Sequence, residues 1–198
     1  MKKDFILCKE VINKEMALYL YDYLLLKRQV FQTLFNNRLI SSLNIDWGAW
    51  GDTQVSNTYC AYGDIALDLL LSRVKPLMEK KTGLELIETY SYARVYKKGD
   101  VLKKHKDRIS CQISATMNLG GDPWPIYLDL KNKKAKKFIL DKGDMLIYKG
   151  DKVFHWRDKF EGNYCGQVFL HYNNIKTSKN RFDGRAHLGL PEDIKNVK

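Results

Sequence analysis

The sequence predicts a mostly β domain with flanking helices, of the α+β class, and three observations carry that reading. From residue 84 onward, short apolar and β-branched runs alternate with glycine and aspartate turn signals. The first 83 residues instead hold two stretches whose apolar positions recur three and four apart. A chain of 198 residues at 44% hydrophobic, with no compositional break, suits one well-buried domain spanning residues 1–198.

Taken in order, the first element is a helix. Asn13 can cap it, Lys14 begins it, and Met16, Leu20, Tyr23, Leu24 and Lys27 follow at helical steps to about Phe35. Between residues 36 and 62 the periodicity breaks, with paired asparagines, paired serines, Trp47, Trp50, Gly48 and Gly51. This reads as a long loop or short edge strands, and residues 47–59 are a candidate lid. A second helix starts near Asp64, shows Ile65, Leu69, Val74 and Leu77 as its apolar face, and stops at Gly83, with Pro76 able to kink it. Residues 1–83 are thus expected as helical support and loop, 84–173 as the β core, and 174–198 as a tail.

The candidate strands are 85–96, 109–119, 125–130, 136–140, 144–149, 152–157 and 164–172. Gly99-Asp100, Gly120-Gly121-Asp122-Pro123, Asp141-Lys142-Gly143-Asp144 and Glu161-Gly162-Asn163 separate several of them. Seven short strands with regular turns indicate a β-sandwich or a barrel, with the two helices buttressing one face.

Thirty-four Lys and Arg against 23 Asp and Glu leave a net charge of +11. A cationic surface speeds encounters with nucleic acid or acidic partners, and it is also a common route to solubility. Cys8, Cys60, Cys111 and Cys165 are scattered without a C-x-x-C pair, which favours free thiols in a reducing compartment. The N-terminus is too short and charged for a signal peptide. The most apolar window, 17–26, is broken by Asp22 and falls well short of a membrane span of roughly 20 residues. A cytoplasmic protein with no membrane association is expected; oligomeric state is not legible.

The chemistry sits in three residues. His105 and Asp107 form an H-x-D pair, and His155 follows 48 positions after the aspartate. Two imidazoles and one carboxylate on one face of a metal are the ligand set of a mononuclear iron site with its opposite positions open. Each residue alone is ordinary. Their joint placement at strand ends, each beside a Gly-Asp turn, sets the group apart.

The order Tyr96, Gly99, His105-x-Asp107, Gly143-Asp144, His155 resembles the double-stranded β-helix of the Fe(II)/2-oxoglutarate dioxygenases, most of all the prolyl 4-hydroxylase group with its small bacterial and phage members. The resemblance covers about residues 84 to 173. It implies a jelly-roll, cupin-like barrel buttressed by the N-terminal helices, and an oxidoreductase using Fe(II), O2 and 2-oxoglutarate, with ascorbate as reductant. It also implies conversion of 2-oxoglutarate to succinate and CO2, coupled to hydroxylation of a proline-containing protein or peptide. His105, Asp107 and His155 become the catalytic metal ligands, and Tyr96 a cosubstrate contact.

One departure stands out. The group places Lys or Arg about ten residues beyond the distal histidine to meet the distal carboxylate of 2-oxoglutarate, since a buried carboxylate needs a cation. Here no Lys or Arg lies between Lys159 and Lys176. Arg157 shares a strand face with His155, and Arg94 shares one with Tyr96, so either is a candidate; Arg108 points the other way. Tyr96 and Gln167 are expected to donate hydrogen bonds, and His171 to be structural. Trp47, Trp50, Trp124 and Trp156 line a substrate groove or fill the core. The run Lys131–Lys137 is a solvated hairpin tip or a grip for an acidic partner. Two alternatives stay open: an oxidative demethylase of nucleic acid in the same superfamily, and a non-catalytic cupin-like binding module.

Overall fold

Two β-sheets face each other across an interior that holds the candidate ligands. The computed structural model describes residues 1, 3–41, 44–130 and 134–178. In chain order the elements are β1 (Phe5–Cys8), α1 (Lys14–Asn36), β2 (Ala49–Gly51), β3 (Ser56–Tyr62), α2 (Ile65–Thr82), β4 (Leu86–Lys97), β5 (Leu102–His105) and β6 (Ile113–Gly121). They continue with β7 (Ile126–Asp129), β8 (Lys136–Phe138), β9 (Met145–Tyr148), β10 (Phe154–Arg157) and β11 (Tyr164–Asn174).

Seven strands form one sheet in the order β1-β9-β6-β11-β4-β3-β2, and four form the other in the order β5-β10-β7-β8. From β4 to β11 the chain shuttles between the two sheets, and every pairing is antiparallel. That arrangement is a double-stranded β-helix, as the resemblance implies.

Strand alternation sorts the side chains of the larger sheet. Ala93, Val95, Ala115, Met117, Val168 and Leu170 point outward and join Leu20, Leu24, Leu67, Leu71 and Met78 of the helices in one apolar cluster. Tyr90, Tyr92, Arg94 and Tyr96 of β4 take the opposite face, toward the smaller sheet. Both faces are therefore buried, so β4 reads as a nearly continuous buried run rather than an alternating one.

Both helices begin where the caps predict. The Asn13 side chain accepts from the Met16 amide at 2.8 Å, and Asp64 accepts from the amides of Ala66 and Leu67. Gly83, with φ of 67°, ends α2 in the left-handed conformation. The buried face of α2 differs from the expectation, because Ile65 and Leu69 are 71% and 59% exposed. Leu67, Leu70, Leu71, Val74 and Met78 face the sheet instead. With apolar residues at most positions from 65 to 71, periodicity alone does not choose the phase.

The first 83 residues carry three strands besides the helices. β1 adds to the edge of the larger sheet beside β9, and β2 and β3 form a hairpin over 49–62, which takes in most of the candidate lid. β5 is a strand of its own where a turn was expected, and the strand expected at 109–119 begins only at Ile113. Residues 179–198 of the expected tail and Lys131, Asn132 and Lys133 of the lysine run lie outside the described residues, while Lys136 and Lys137 belong to β8. All four cysteines are free and buried. Among the described residues no helix is long and apolar enough to cross a membrane.

Candidate metal centre

β5 and β10 lie side by side, and their register sets His105 directly opposite His155. The ring centroids are 4.2 Å apart. Each imidazole is oriented by the same device: its Nδ1 meets the carbonyl two residues earlier, Lys103 at 2.8 Å for His105 and Val153 at 3.0 Å for His155. A carbonyl only accepts, so each ring carries a proton on Nδ1 and turns its Nε2 toward Asp107.

Asp107 completes the group. Its amide donates to the Gly150 carbonyl at 2.9 Å, and its Oδ2 accepts from the Ser114 hydroxyl at 2.6 Å. Its Oδ1 lies 3.3 Å from His155 Nε2 and 3.7 Å from His105 Nε2. One ligand atom from each residue falls within 4.8 Å of the others, and this is the one such group of three among the described residues.

The electrostatics suit a cation. Burial pushes the Asp107 carboxyl up, but the His155 hydrogen bond and charge, the His171 charge and the Ser114 hydrogen bond outweigh it, so it stays well below the usual carboxylate range. Burial and the neighbouring His155 lower the His105 pKa, against the Lys103 carbonyl and Asp107. The result is an ionised carboxylate beside a neutral imidazole, the protonation states a divalent metal requires. Two imidazoles and a carboxylate, with both outer nitrogens and the outer oxygen already engaged, fit Fe(II).

Spacing gave no hint of the residues that hold this group. Ser114 bridges Asp107 to His171, whose Nδ1 is 3.0 Å from the hydroxyl. His171, expected as structural, also lines the cavity described next. A Cβ on Gly150 would land on Ser114 Oγ, Asp107 Oδ2 and the Cys111 carbonyl, so only glycine lets Asp107 approach.

The group opens into a cavity of about 480 Å³. Tyr62, Tyr90, Tyr92, Tyr96 and Phe169 form its aromatic wall, and the β2–β3 hairpin borders it. The hydroxyls of Tyr96 and Tyr148 have no hydrogen-bond partner among the described residues, although both tyrosines line the cavity. The tryptophans do not line it. Trp124 is buried against Phe160 and donates to the Asp158 carbonyl. Trp50 packs on Phe31 and Tyr59, and Trp156 stacks on Tyr127 outside the smaller sheet.

Both candidate arginines lie in the interior, and neither forms part of the cavity wall. Arg94 is paired with Asp52, from the turn of the β2–β3 hairpin, and donates to the Tyr92 hydroxyl. Arg157 donates to the Trp124 carbonyl, to Gln167 Oε1 at 3.2 Å and to Thr116 at 3.5 Å. Its Nε has no partner, and no carboxylate pairs with it among the described residues. Gln167 is therefore an orienting group for Arg157, held in turn by Asn118 at 3.1 Å.

No protein-family model and no curated protein matches the sequence. Solved structures do resemble the fold. A prolyl 4-hydroxylase from Pseudomonas putida is 12% identical with a TM-score of 0.65, over 87% of this chain and 94% of that one. A prolyl hydroxylase from Trichoplax adhaerens, solved with a fragment of a hypoxia-inducible-factor degradation domain, is 13% identical with a TM-score of 0.60, over 88% and 86%. An α-ketoglutarate-dependent epimerase, SnoN from nogalamycin biosynthesis, is 13% identical with a TM-score of 0.57, over 86% and 77%. The chain has the fold of the 2-oxoglutarate- and Fe(II)-dependent oxygenases, prolyl hydroxylases among them.

Proposed function

We propose that this protein is an Fe(II)- and 2-oxoglutarate-dependent oxygenase that hydroxylates a protein or peptide at proline. The observation that carries the reading is the His105–Asp107–His155 group, with its outer atoms tied to the protein and its inner atoms facing an open cavity. Bound there, Fe(II) with O2 and 2-oxoglutarate supplies the oxidising chemistry, in which the cosubstrate loses CO2 to become succinate; ascorbate is the reductant that fits this class.

The chain's own residues position the parts. His105 and His155 turn their Nε2 atoms toward Asp107, and Ser114 with Gly150 holds the Asp107 carboxylate in place. Charge balance supports Arg157 as the partner of the distal carboxylate of 2-oxoglutarate: Arg94 already has Asp52 as its anion, whereas a buried guanidinium without one is costly until a ligand brings it. The unpartnered Tyr96 and Tyr148 hydroxyls are available as additional donors to that carboxylate. The tyrosine and phenylalanine wall offers flat apolar faces suited to a pyrrolidine ring and keeps water from the reacting carbon.

Incubation with Fe(II), 2-oxoglutarate, ascorbate and a panel of proline-containing peptides should release succinate and add the mass of one oxygen to a peptide. Anaerobic calorimetry with Mn(II) should show 2-oxoglutarate binding. No binding would make the scaffold non-catalytic. Succinate release driven by methylated oligonucleotides instead of peptides would move the reading to nucleic-acid demethylation.

A further inference from the structure

One residue in the cavity wall carries a nitrogen that packing alone does not call for. The register of the larger sheet sets His171 of β11 between Tyr90 of β4 and Ser114 of β6, with Tyr148 of β9 opposite Ser114. Residues directly opposite on neighbouring strands lie close enough for their side chains to interact, so these four make one row across the sheet. The row supports two of the three candidate ligands. The Tyr148 ring packs on the His155 imidazole with centroids 4.7 Å apart, and Ser114 donates to Asp107 Oδ2 at 2.6 Å. Tyr90 lies against the His171 ring, centroids 4.8 Å apart. A phenylalanine at 171 would serve that last contact as well as a histidine.

The proton of Ser114 decides what the imidazole does. A hydroxyl has one proton to give, and its acceptors are the Asp107 carboxylate at 2.6 Å and the Cys111 carbonyl at 3.4 Å. The short contact to a charged oxygen takes it. Toward His171 Nδ1, 3.0 Å away, the serine oxygen is then the acceptor, so the ring nitrogen carries a proton and donates it. The two hydrogen bonds run one way, from His171 Nδ1 through Ser114 Oγ to Asp107 Oδ2. A side chain that offered Ser114 an acceptor there would compete with Asp107 for the hydroxyl proton, and one that offered nothing would leave the hydroxyl free to turn toward Cys111.

We infer that His171 is a positioning residue of the metal centre: by donating to Ser114 it commits the serine proton to Asp107 Oδ2 and leaves Oδ1 to meet the metal. Oδ1 is the oxygen that lies 3.3 Å from His155 Nε2 and 3.7 Å from His105 Nε2. This deepens the oxygenase reading and rests on it, since the metal is the one that reading puts at His105, Asp107 and His155. Groups that orient a metal ligand without touching the metal are worth about 10–100-fold in affinity.

The test compares His171→Asn with His171→Gln by titrating the full chain with Mn(II) alone, without oxygen or cosubstrate. Asparagine holds its amide nitrogen two bonds from Cβ, as Nδ1 is held, and can still donate to Ser114; glutamine holds its own one bond farther out. Both are neutral and polar, so the place of the donor is what differs. His171→Gln should lose about tenfold or more in Mn(II) affinity, and His171→Asn should bind like the wild type. Should the glutamine chain fail to fold by circular dichroism, His171→Phe takes its place, with the same loss expected. Adding His171→Gln to Ser114→Ala should cost nothing beyond Ser114→Ala alone, because a residue that acts through another has nothing left to act on. Asparagine as poor as glutamine, or additive losses in the double variant, would overturn the inference. A wild-type chain that binds no Mn(II) removes the oxygenase reading and the inference together, whereas wild-type binding that His171→Gln leaves unchanged removes the inference alone.

Discussion

Asp52→Ala is the most informative single change, because it separates a structural ion pair from the reactive site. Arg94 has no exposed side-chain surface, and Asp52 keeps 22% of its own. Removing one partner of a buried pair costs about 3–5 kcal/mol, since the remaining charge stays desolvated. Water can reach the place Asp52 vacates, so the lower end, about 3 kcal/mol, applies. At roughly 2–4 °C per kcal/mol for a domain of this size, the melting temperature should fall by roughly 6–12 °C. Asp52→Asn retains an oxygen for the Gln54 and Val55 amides and removes only the charge, so the difference between the two variants isolates the ion pair.

The pH dependence has a definite sign. Burial alone would raise the Asp52 pKa, but the Arg94 charge, the Val55 and Gln54 amides and the Tyr92 hydroxyl outweigh it and hold it below 3.8. A carboxyl depressed in the folded state contributes stability that is complete above its unfolded pKa and lost as pH falls through the folded one. The Asp52→Ala penalty should therefore be full at neutral pH and shrink in acid, below about pH 4. Thermal melts followed by circular dichroism measure it. Adding Arg94→Leu should recover most of the loss by removing the orphaned charge. A single variant that melts with the wild type, or a double variant no better than the single one, would refute the electrostatic account.

Three further outcomes are expected. Asp107→Ala should abolish Mn(II) binding and turnover while the far-ultraviolet dichroism stays native, because the residue supports the metal rather than the core. Ser114→Ala should weaken metal affinity about 10–100-fold, the usual cost of losing a partner that orients a ligand, and Gly150→Ala should do at least as much by displacing Asp107; metal titration measures both. Arg157→Ala should raise the 2-oxoglutarate KM about tenfold or more, equivalent to roughly 1.4 kcal/mol, with a matching calorimetric loss, whereas Arg94→Ala should act chiefly on the melting temperature. The opposite ranking would transfer the carboxylate site to Arg94.

Why some of this was legible and some not follows from what each feature constrains. Ligand chemistry admits few residue types, and strands tie them to turns, so His105, Asp107 and His155 stand out although the last two are 48 positions apart. Caps are local, so Asn13, Asp64 and Gly83 announce both helices. The groups that aim the ligands are neither local nor chemically unusual. Ser114 is one serine among many, and Gly150 matters only because Asp107, 43 residues earlier, comes to rest against it. β1 and β5, four residues each, are too short for alternation to show.

The two arginines make the same point about charge. Sequence placed both Arg94 and Arg157 inside the barrel by strand parity, and parity cannot rank them. What separates them is a third residue: Asp52, 42 positions before Arg94, returns through the hairpin turn to neutralise one guanidinium, while Gln167 and Thr116 offer the other only neutral oxygens. A guanidinium held by neutral partners in a dry interior is oriented but not compensated, and in the proposed reading the cosubstrate brings the charge that completes it. The lysine or arginine expected on the last strand is absent for a compatible reason. Gln167 of β11 lies 3.2 Å from the guanidinium that β10 supplies, so the neighbouring strand can provide the cation that β11 lacks.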